Sequence, residues 1–224
     1  MISVMDRIGT SVNLVLASQS PRRREILDMM GLGGKYTVQP SPLDEESLQT
    51  ELIALDLSST DYTHRLAQAK AHCLAVAQAS SLTSTTFYLG SDTIVELDDM
   101  VLEKPKSTDQ AKEMLRKLSG RDHHVHTGVA IYKVEPGSAE VTTTLVSSFV
   151  DTAQVTFTKL SDQDIEAYVQ SGEPMDKAGS YGIQGIGGQF VSGLTGDFFT
   201  VMGLPMHKTS RALAQAIRDA EAEA

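Results

Sequence analysis

The stretch "NLVLASQSPRRREILDMMG", Asn13 to Gly31, reads as a strand, a tight turn and a helix. Its first part, Asn13 to Ser18, is a short apolar run that suits a buried strand. Ser20 is a good N-cap residue and Pro21 fits the first helical position, so a helix begins here with Ile26, Leu27 and Met30 inward. The same stretch carries a conflict, because Arg22, Arg23 and Arg24 fall in the first helical turn. The backbone dipole is already positive there, and each exposed cation costs about 0.3–1 kcal/mol. An anion bound at that end removes the conflict.

Outward from this unit, the pattern alternates helices and strands. A helix is predicted from Asp61 to Ala79, with Leu66, Ala69, Cys73 and Ala77 on one stripe. Phe87 to Leu97 is β-rich and apolar apart from its centre, and a hairpin through Asp98 and Asp99 leads into "MVLEK". Ser107 to Gln110 gives a capping-box pattern for a helix with Ala111, Met114, Leu115 and Leu118 inward, stopped by Gly120. His124–Val134 and Thr143–Phe157 read as long strands joined through Glu135-Pro136-Gly137. Ser161 to Asp164 caps a further helix ending at Gly172, and Pro205 opens the last. Hairpins among alternating elements imply an α/β fold with a mixed twisted sheet and flanking helices.

Composition narrows the function. At 224 residues the chain can bury a core as one domain or two closely joined lobes. A formal charge of -10 argues against a general nucleic-acid or anionic-membrane binder, so any anion site is a local basic pocket. The single cysteine, Cys73, permits no intrachain disulfide; it reads as a small core residue of an intracellular, cytoplasmic chain. Residues 1–12 carry Asp6 and Arg7 without a long apolar run, unlike a signal peptide or an anchor. No segment is long enough to span a bilayer.

Asp92 stands in the middle of the apolar strand, behind Gly90 and Ser91. A carboxylate there needs a hydrogen-bonding partner, a cation or a metal, whether its role is structural or chemical. Lys70 lies on the flank of its helix's apolar stripe, and Lys104 precedes Pro105 in a rigid exit loop. Either alone is an ordinary snorkelling side chain, but with the arginines they match what a metal-bound polyphosphate needs. Asp44-Glu45-Glu46 is a solvated acidic loop or the source of a second metal-ligating carboxylate. The glycine-dense "DKAGSYGIQGIGGQF" (Asp176–Phe190) lets backbone approach a ligand closely, but fits neither the dinucleotide fingerprint nor Walker A. Asp122-His123-His124, with His126, is read as a surface turn, and Met29 and Met30 as core filler.

Taken in order, "LASQSPRR", "GSDTIV", "LEKPKSTDQAKEMLRKLSG", "HTGVAIY" and "SGEPMDKAGSYGIQGIGG" resemble the Maf family of nucleoside triphosphate pyrophosphatases. The resemblance runs from Asn13 to the C-terminal helix, so residues 13–224 are expected to form one domain behind an extension, 1–12, without a counterpart. It implies two lobes around a central cleft, similar to the inosine-triphosphate pyrophosphatase architecture, and frequently a homodimer. The implied reaction is hydrolysis of a nucleoside triphosphate to the monophosphate and pyrophosphate with Mg²⁺ or Mn²⁺. Matched to the motifs, Asp92 is the proton acceptor, Arg22, Arg23, Lys70 and Lys104 hold phosphates, and Glu45 joins Asp92 at the metal. Ser20 belongs to the same substrate-binding turn, whereas Arg24 lies a further step around the helix and is read as a surface residue. Arg22, Thr93 and Gln184 fall where the family tunes substrate choice, and "DKAGSYGIQG" resembles the branch that takes dTTP and UTP. Gln184 offers both a donor and an acceptor to a pyrimidine edge.

The sequence departs from the family pattern at Ser91, where alanine is common, and in longer loops at 56–61 and 79–86. Neither departure touches the expected chemistry directly. Two other functions use the same residues: a non-catalytic nucleotide-binding regulator of cell division, and a nucleotidyltransferase that needs a second, acceptor substrate.

Overall fold

The computed structural model describes residues 2–137 and 142–223. A one-turn helix α1 (Ile2–Met5) precedes strand β1 (Asn13–Leu16) and helix α2 (Pro21–Leu27), which starts at Pro21 as expected. Past Leu27 the helix widens into a π-type turn, Asp28–Leu32, interrupted at Gly31 with φ 79°. That change of pitch turns Met29 outward, 54% exposed, and leaves Met30 half-buried, so neither is the core filler expected of it.

Strand β2 (Thr37–Val38) pairs parallel with β1. Helix α3 (Glu45–Ala54) follows, where the sequence suggested only an acidic loop; its one buried residue is Leu52, so it has no apolar stripe to read. Helix α4 (Ser59–Gln78) leads to β3 (Thr86–Leu97), which runs parallel to β1. The predicted hairpin joins β3 to antiparallel β4 (Met100–Leu102), with Asp98 and Asp99 at φ 50° and 62°. Then come α5 (Thr108–Leu118), β5 (Asp122–Val134), β6 (Thr143–Phe157) and α6 (Asp162–Gln170), whose Ser161–Asp164 capping box is formed. Short 3₁₀ turns lead to β7 (Val191–Thr195), α7 (Phe198–Met202) and α8 (Met206–Glu223). The sheet is mixed: β1 pairs parallel with β2 and β3, while β7 pairs antiparallel with β6.

The chain divides into two compact units. Unit 1 comprises Met1–Asp92, Gly128–Val150 and Gly203–Ala224; unit 2 comprises Thr93–Thr127 and Asp151–Met202. Strands β3, β5 and β6 each give one part to each unit. The unit 1 core includes Val15, Leu74, Ala75 and Tyr88. Residues of α1 and its following turn, Met5 and Ile8, are buried in this unit too. Unit 2 is built around α5 and α6, with Leu115, Leu118, Phe157, Tyr168, Tyr181 and Phe190 in its core.

Helix α4 is rotated from its predicted orientation. Its buried residues are Tyr62, Thr63, Leu66, Ala67, Lys70, Ala71, Leu74 and Ala75, whereas Ala77 is exposed and Ala69 and Cys73 are half-buried. Two glycines on neighbouring strands explain the difference. A Cβ on Gly90 would lie 2.4 Å from the Ala67 carbonyl oxygen, and one on Gly128 would lie 2.6 Å from that of Thr63. The backbones meet where side chains are missing, and that contact selects the buried face. Lys70 is therefore buried rather than placed on the flank.

The histidine segment is also not a surface turn. It begins β5, and strand alternation sends His123 and Val125 inward while His124 stays exposed. His123 Nε2 lies 2.8 Å from Tyr181 Oη, and His126 Nε2 lies 2.8 Å from Glu96 Oε2. Among the described residues, no helix is long and apolar enough to cross a membrane.

Candidate active site

Strand β1 ends beside the arginine-bearing turn, and both belong to unit 1. Arg23 Nε donates to the Gly203 carbonyl at 2.9 Å, and Nη1 donates to Ser18 Oγ at 3.0 Å. Ser18 Oγ also accepts from the Ser20 amide at 3.2 Å; Ser20 holds the N-cap position, but its side chain forms no capping bond. Burial draws the Arg23 guanidinium below its ordinary pKa; Asp92 opposes that fall and Arg22 adds to it. Arg22 is half-buried, while Arg24 is exposed and lines a separate surface hollow with Pro21, Asp28, Met29 and Tyr36.

Helices α3 and α4 and strand β3 bring the carboxylates to a lysine. Lys70 Nζ donates to Asp92 Oδ1 at 2.6 Å and lies 2.8 Å from Glu45 Oε2. Lys70 is 5% exposed and Asp92 7%. Burial works against the lysine charge, but the two carboxylates outweigh burial and the Arg23 charge, so the Lys70 pKa lies above its ordinary value. Asp44 is the N-cap of α3 and accepts from the Ser47 amide, which orients the turn that carries Glu45.

Asp92 Oδ2 is buried and has no hydrogen-bond partner. A carboxylate oxygen in that state is costly unless a water, a substrate group or a cation meets it. Asp92 and Glu45 carry the oxygen donors that a hard divalent ion takes, and could hold one. No group of three or more His, Cys, Asp or Glu side chains able to hold a metal occurs among the described residues. Two carboxylates with the remaining positions filled by water and phosphate oxygens is the usual Mg²⁺ arrangement.

Thr93, Lys104 and Gln184 belong to unit 2. Thr93 Oγ1 lies 2.9 Å from Thr127 Oγ1, and Thr127 donates to the Thr200 carbonyl at 2.7 Å. With the Thr127 proton committed there, Thr93 is the donor of the pair. Lys104 is exposed in the segment after β4, and Gln184 is exposed in the glycine-rich loop.

The profile of the family described as Maf-like protein matches residues 13–216. The chain belongs to the Maf family. Among its curated relatives is the dTTP/UTP pyrophosphatase of Vibrio cholerae, 44% identical over 204 residues, covering 91% of this chain and 98% of the relative. The dTTP/UTP pyrophosphatases of Moorella thermoacetica and Bacillus pumilus are 42% and 41% identical over 204 and 200 residues. They cover 90% and 89% of this chain, and 93% and 94% of their own lengths.

Two features of this Maf protein were not legible in its sequence. Ser91 Oγ donates to the Gly203 carbonyl at 3.0 Å, so Ser91 shares the anchor of Arg23 and is not remote from the arginine site. The glycines of the 176–190 loop crowd against the protein's own side chains. A Cβ on Gly185 would lie 2.5 Å from Glu173 Oε1, on Gly187 2.6 Å from Tyr168 Oη, and on Gly182 2.7 Å from Lys177 Cε. Close backbone approach is what these glycines provide, and Glu173, Tyr168 and Lys177 are what is approached. The Ser91 and Arg23 bonds to Gly203 span more than a hundred residues and leave no local pattern.

Proposed function

We propose that this Maf protein hydrolyses dTTP and UTP to the nucleoside monophosphate and pyrophosphate. The observation that carries the reading is Asp92, buried beside Lys70 with Oδ2 left as an unpartnered acceptor. The names of the relatives supply the substrates.

A triphosphate repels an incoming nucleophile, so the protein must neutralise phosphate oxygens and hold a water in line with the bond to be broken. Arg23 is held rigidly by Ser18 and Gly203, which preorganises its fork for phosphate oxygens, with Arg22 beside it. Lys70 is a further phosphate ligand, and Ser20 lies in the same substrate-binding turn. When nucleotide binds, Lys70 shifts its bonds from the carboxylates towards phosphate. Asp92 and Glu45 hold Mg²⁺ or Mn²⁺, which when bound supplies charge neutralisation for the phosphates and the leaving pyrophosphate. Asp92 Oδ2 accepts a proton from the water that attacks the α-phosphorus, and the bond from that phosphorus to the bridging oxygen breaks. We assign Lys104 to a phosphate and Thr93 and Gln184 to the base. Residues 13–224 are read as one nucleotide pyrophosphatase domain with 1–12 as its extension, acting on the cytoplasmic nucleotide pool.

The test is stoichiometric release of dTMP and pyrophosphate from dTTP. Asp92→Asn is expected to stay folded and to lose a factor of about 10²–10⁴ in kcat. Chelation should abolish turnover, and Mg²⁺ or Mn²⁺ should restore it. Tight nucleotide binding with no product would instead favour a regulator, and dependence on an acceptor would favour a nucleotidyltransferase.

A further inference from the structure

The loop that carries Gln184 is fastened on its far side by the Glu173 carboxylate and on its near side by the Tyr168 hydroxyl bonded to that carboxylate. Glu173 follows the left-handed Gly172, φ 78°, just beyond the end of α6. Its Oε2 accepts from the Ile186 amide at 2.9 Å, and its Oε1 accepts from the Gly187 amide at 3.1 Å and from Tyr168 Oη at 2.9 Å. Tyr168 Oη in turn accepts from the Gly182 amide at 3.2 Å. The ends of the segment Gly182–Gly187 are thus tied to a single Glu173–Tyr168 pair, with Gln184 exposed between them.

We propose that Glu173, with Tyr168, is a positioning residue for base selectivity: it fixes the backbone from which Gln184 reads the base. The proposal rests on the assignment of Gln184 to the base. The chemistry requires a carboxylate. Three donors converge on Glu173, and an amide in its place would turn an NH₂ group towards another donor. A fixed backbone matters because a carboxamide can present either its donor or its acceptor to a ring edge. Thymine and uracil offer a carbonyl beside an N–H, whereas cytosine offers an amine beside a bare nitrogen. If the loop is mobile, Gln184 can satisfy either pattern; if it is held, one pattern is favoured. Burial would raise the Glu173 pKa, but the Ile186 and Gly187 amides and the Tyr168 hydroxyl outweigh it, so the carboxylate persists at neutral pH.

The experiment compares kcat/KM for dTTP and dCTP in the wild type, Glu173→Gln, Tyr168→Phe and Gln184→Ala, with inhibition by inorganic tripolyphosphate as a measure of the phosphate end. Glu173→Gln is expected to lower the dTTP:dCTP ratio about tenfold, largely through a higher KM for dTTP, and Tyr168→Phe by about threefold. Both should bind tripolyphosphate within twofold of the wild type. An unchanged ratio in Glu173→Gln, or in Tyr168→Phe should the first variant fail to fold, overturns the clamp while a lowered ratio in Gln184→Ala leaves the base assignment standing. An unchanged ratio in Gln184→Ala overturns the assignment and the clamp together. Weaker tripolyphosphate binding in step with the lost ratio indicates general damage and also overturns the proposal.

Discussion

Lys70 does two jobs with one charge. It is buried between Asp92 and Glu45, so removing it leaves a buried carboxylate without its cation. Lys70→Met is expected to destabilise the fold by about 3–5 kcal/mol in urea denaturation. Adding Asp92→Asn should recover much of that loss, because the uncompensated charge is then gone; additive losses would show that the pair is not coupled. Ser91 makes a gentler case. Ser91→Ala deletes a buried hydroxyl, but the Gly203 carbonyl keeps its bond from Arg23. The expected loss is about 1 kcal/mol, with kcat for dTTP within about twofold of the wild type. Arg22, Arg23 and Asp92 stood out in the sequence because each broke a local rule, a cation at a positive helix end or a charge in an apolar strand. Ser18 and Gly203 broke none, and the bonds that give them a role span the chain.

At the scale of elements, legibility followed the clarity of the hydrophobic period. Helix α5 has Ala111, Met114, Leu115 and Leu118 buried as expected, while the single buried leucine of α3 sets no period in the sequence. Helix α4 had the correct span but the wrong face, because Gly90 and Gly128 on other elements decided which side could approach closely. Gly90→Ala would place a methyl 2.4 Å from the Ala67 carbonyl oxygen and 2.8 Å from Ala71 Cβ. The helix must then move, taking Lys70 with it; the expected loss is about 3 kcal/mol, at the upper end for overpacking, with a fall in kcat. An unchanged thermal midpoint would show that the contact is slack. Strand β5 contributes a pH effect. Burial pushes the His123 imidazole down to about 4 from 6.5, so it stays neutral in the folded protein while the unfolded chain takes up a proton below 6.5. The unfolded state binds more protons in that window, so stability falls as the pH drops from about 6.5 towards 4, by roughly 3 kcal/mol in total. His123→Phe should remove most of one proton from the slope of unfolding free energy on pH between about 4.5 and 6. An equal slope in both proteins would mean that His123 titrates normally.

At the scale of the whole molecule, the α/β class, the mixed sheet and the family resemblance were all carried by the sequence, but the composition of the two units was not. Local pattern finds segments, whereas unit 1 is assembled from three separated segments and unit 2 from two. The chain passes between units after Asp92, Thr127, Val150 and Met202, and the first three of these points lie inside the continuous strands β3, β5 and β6 or at the junction of their parts. A strand cannot lose its pairing in one unit without disturbing the register of the residues that continue into the other. The expectation is a single cooperative unfolding transition, despite a length at which separate steps are common. The chain has no Trp and 6 Tyr, which report locally: Tyr168 and Tyr181 belong to unit 2, and Tyr36, Tyr62, Tyr88 and Tyr132 to unit 1. Urea unfolding followed by tyrosine fluorescence and by far-ultraviolet circular dichroism should give coincident curves. Replacing Tyr168 and Tyr181 together by Phe, so that the remaining signal comes from unit 1, should leave the two curves coincident even where the midpoint moves. Separate midpoints for the two probes would show that the shared strands do not couple the units.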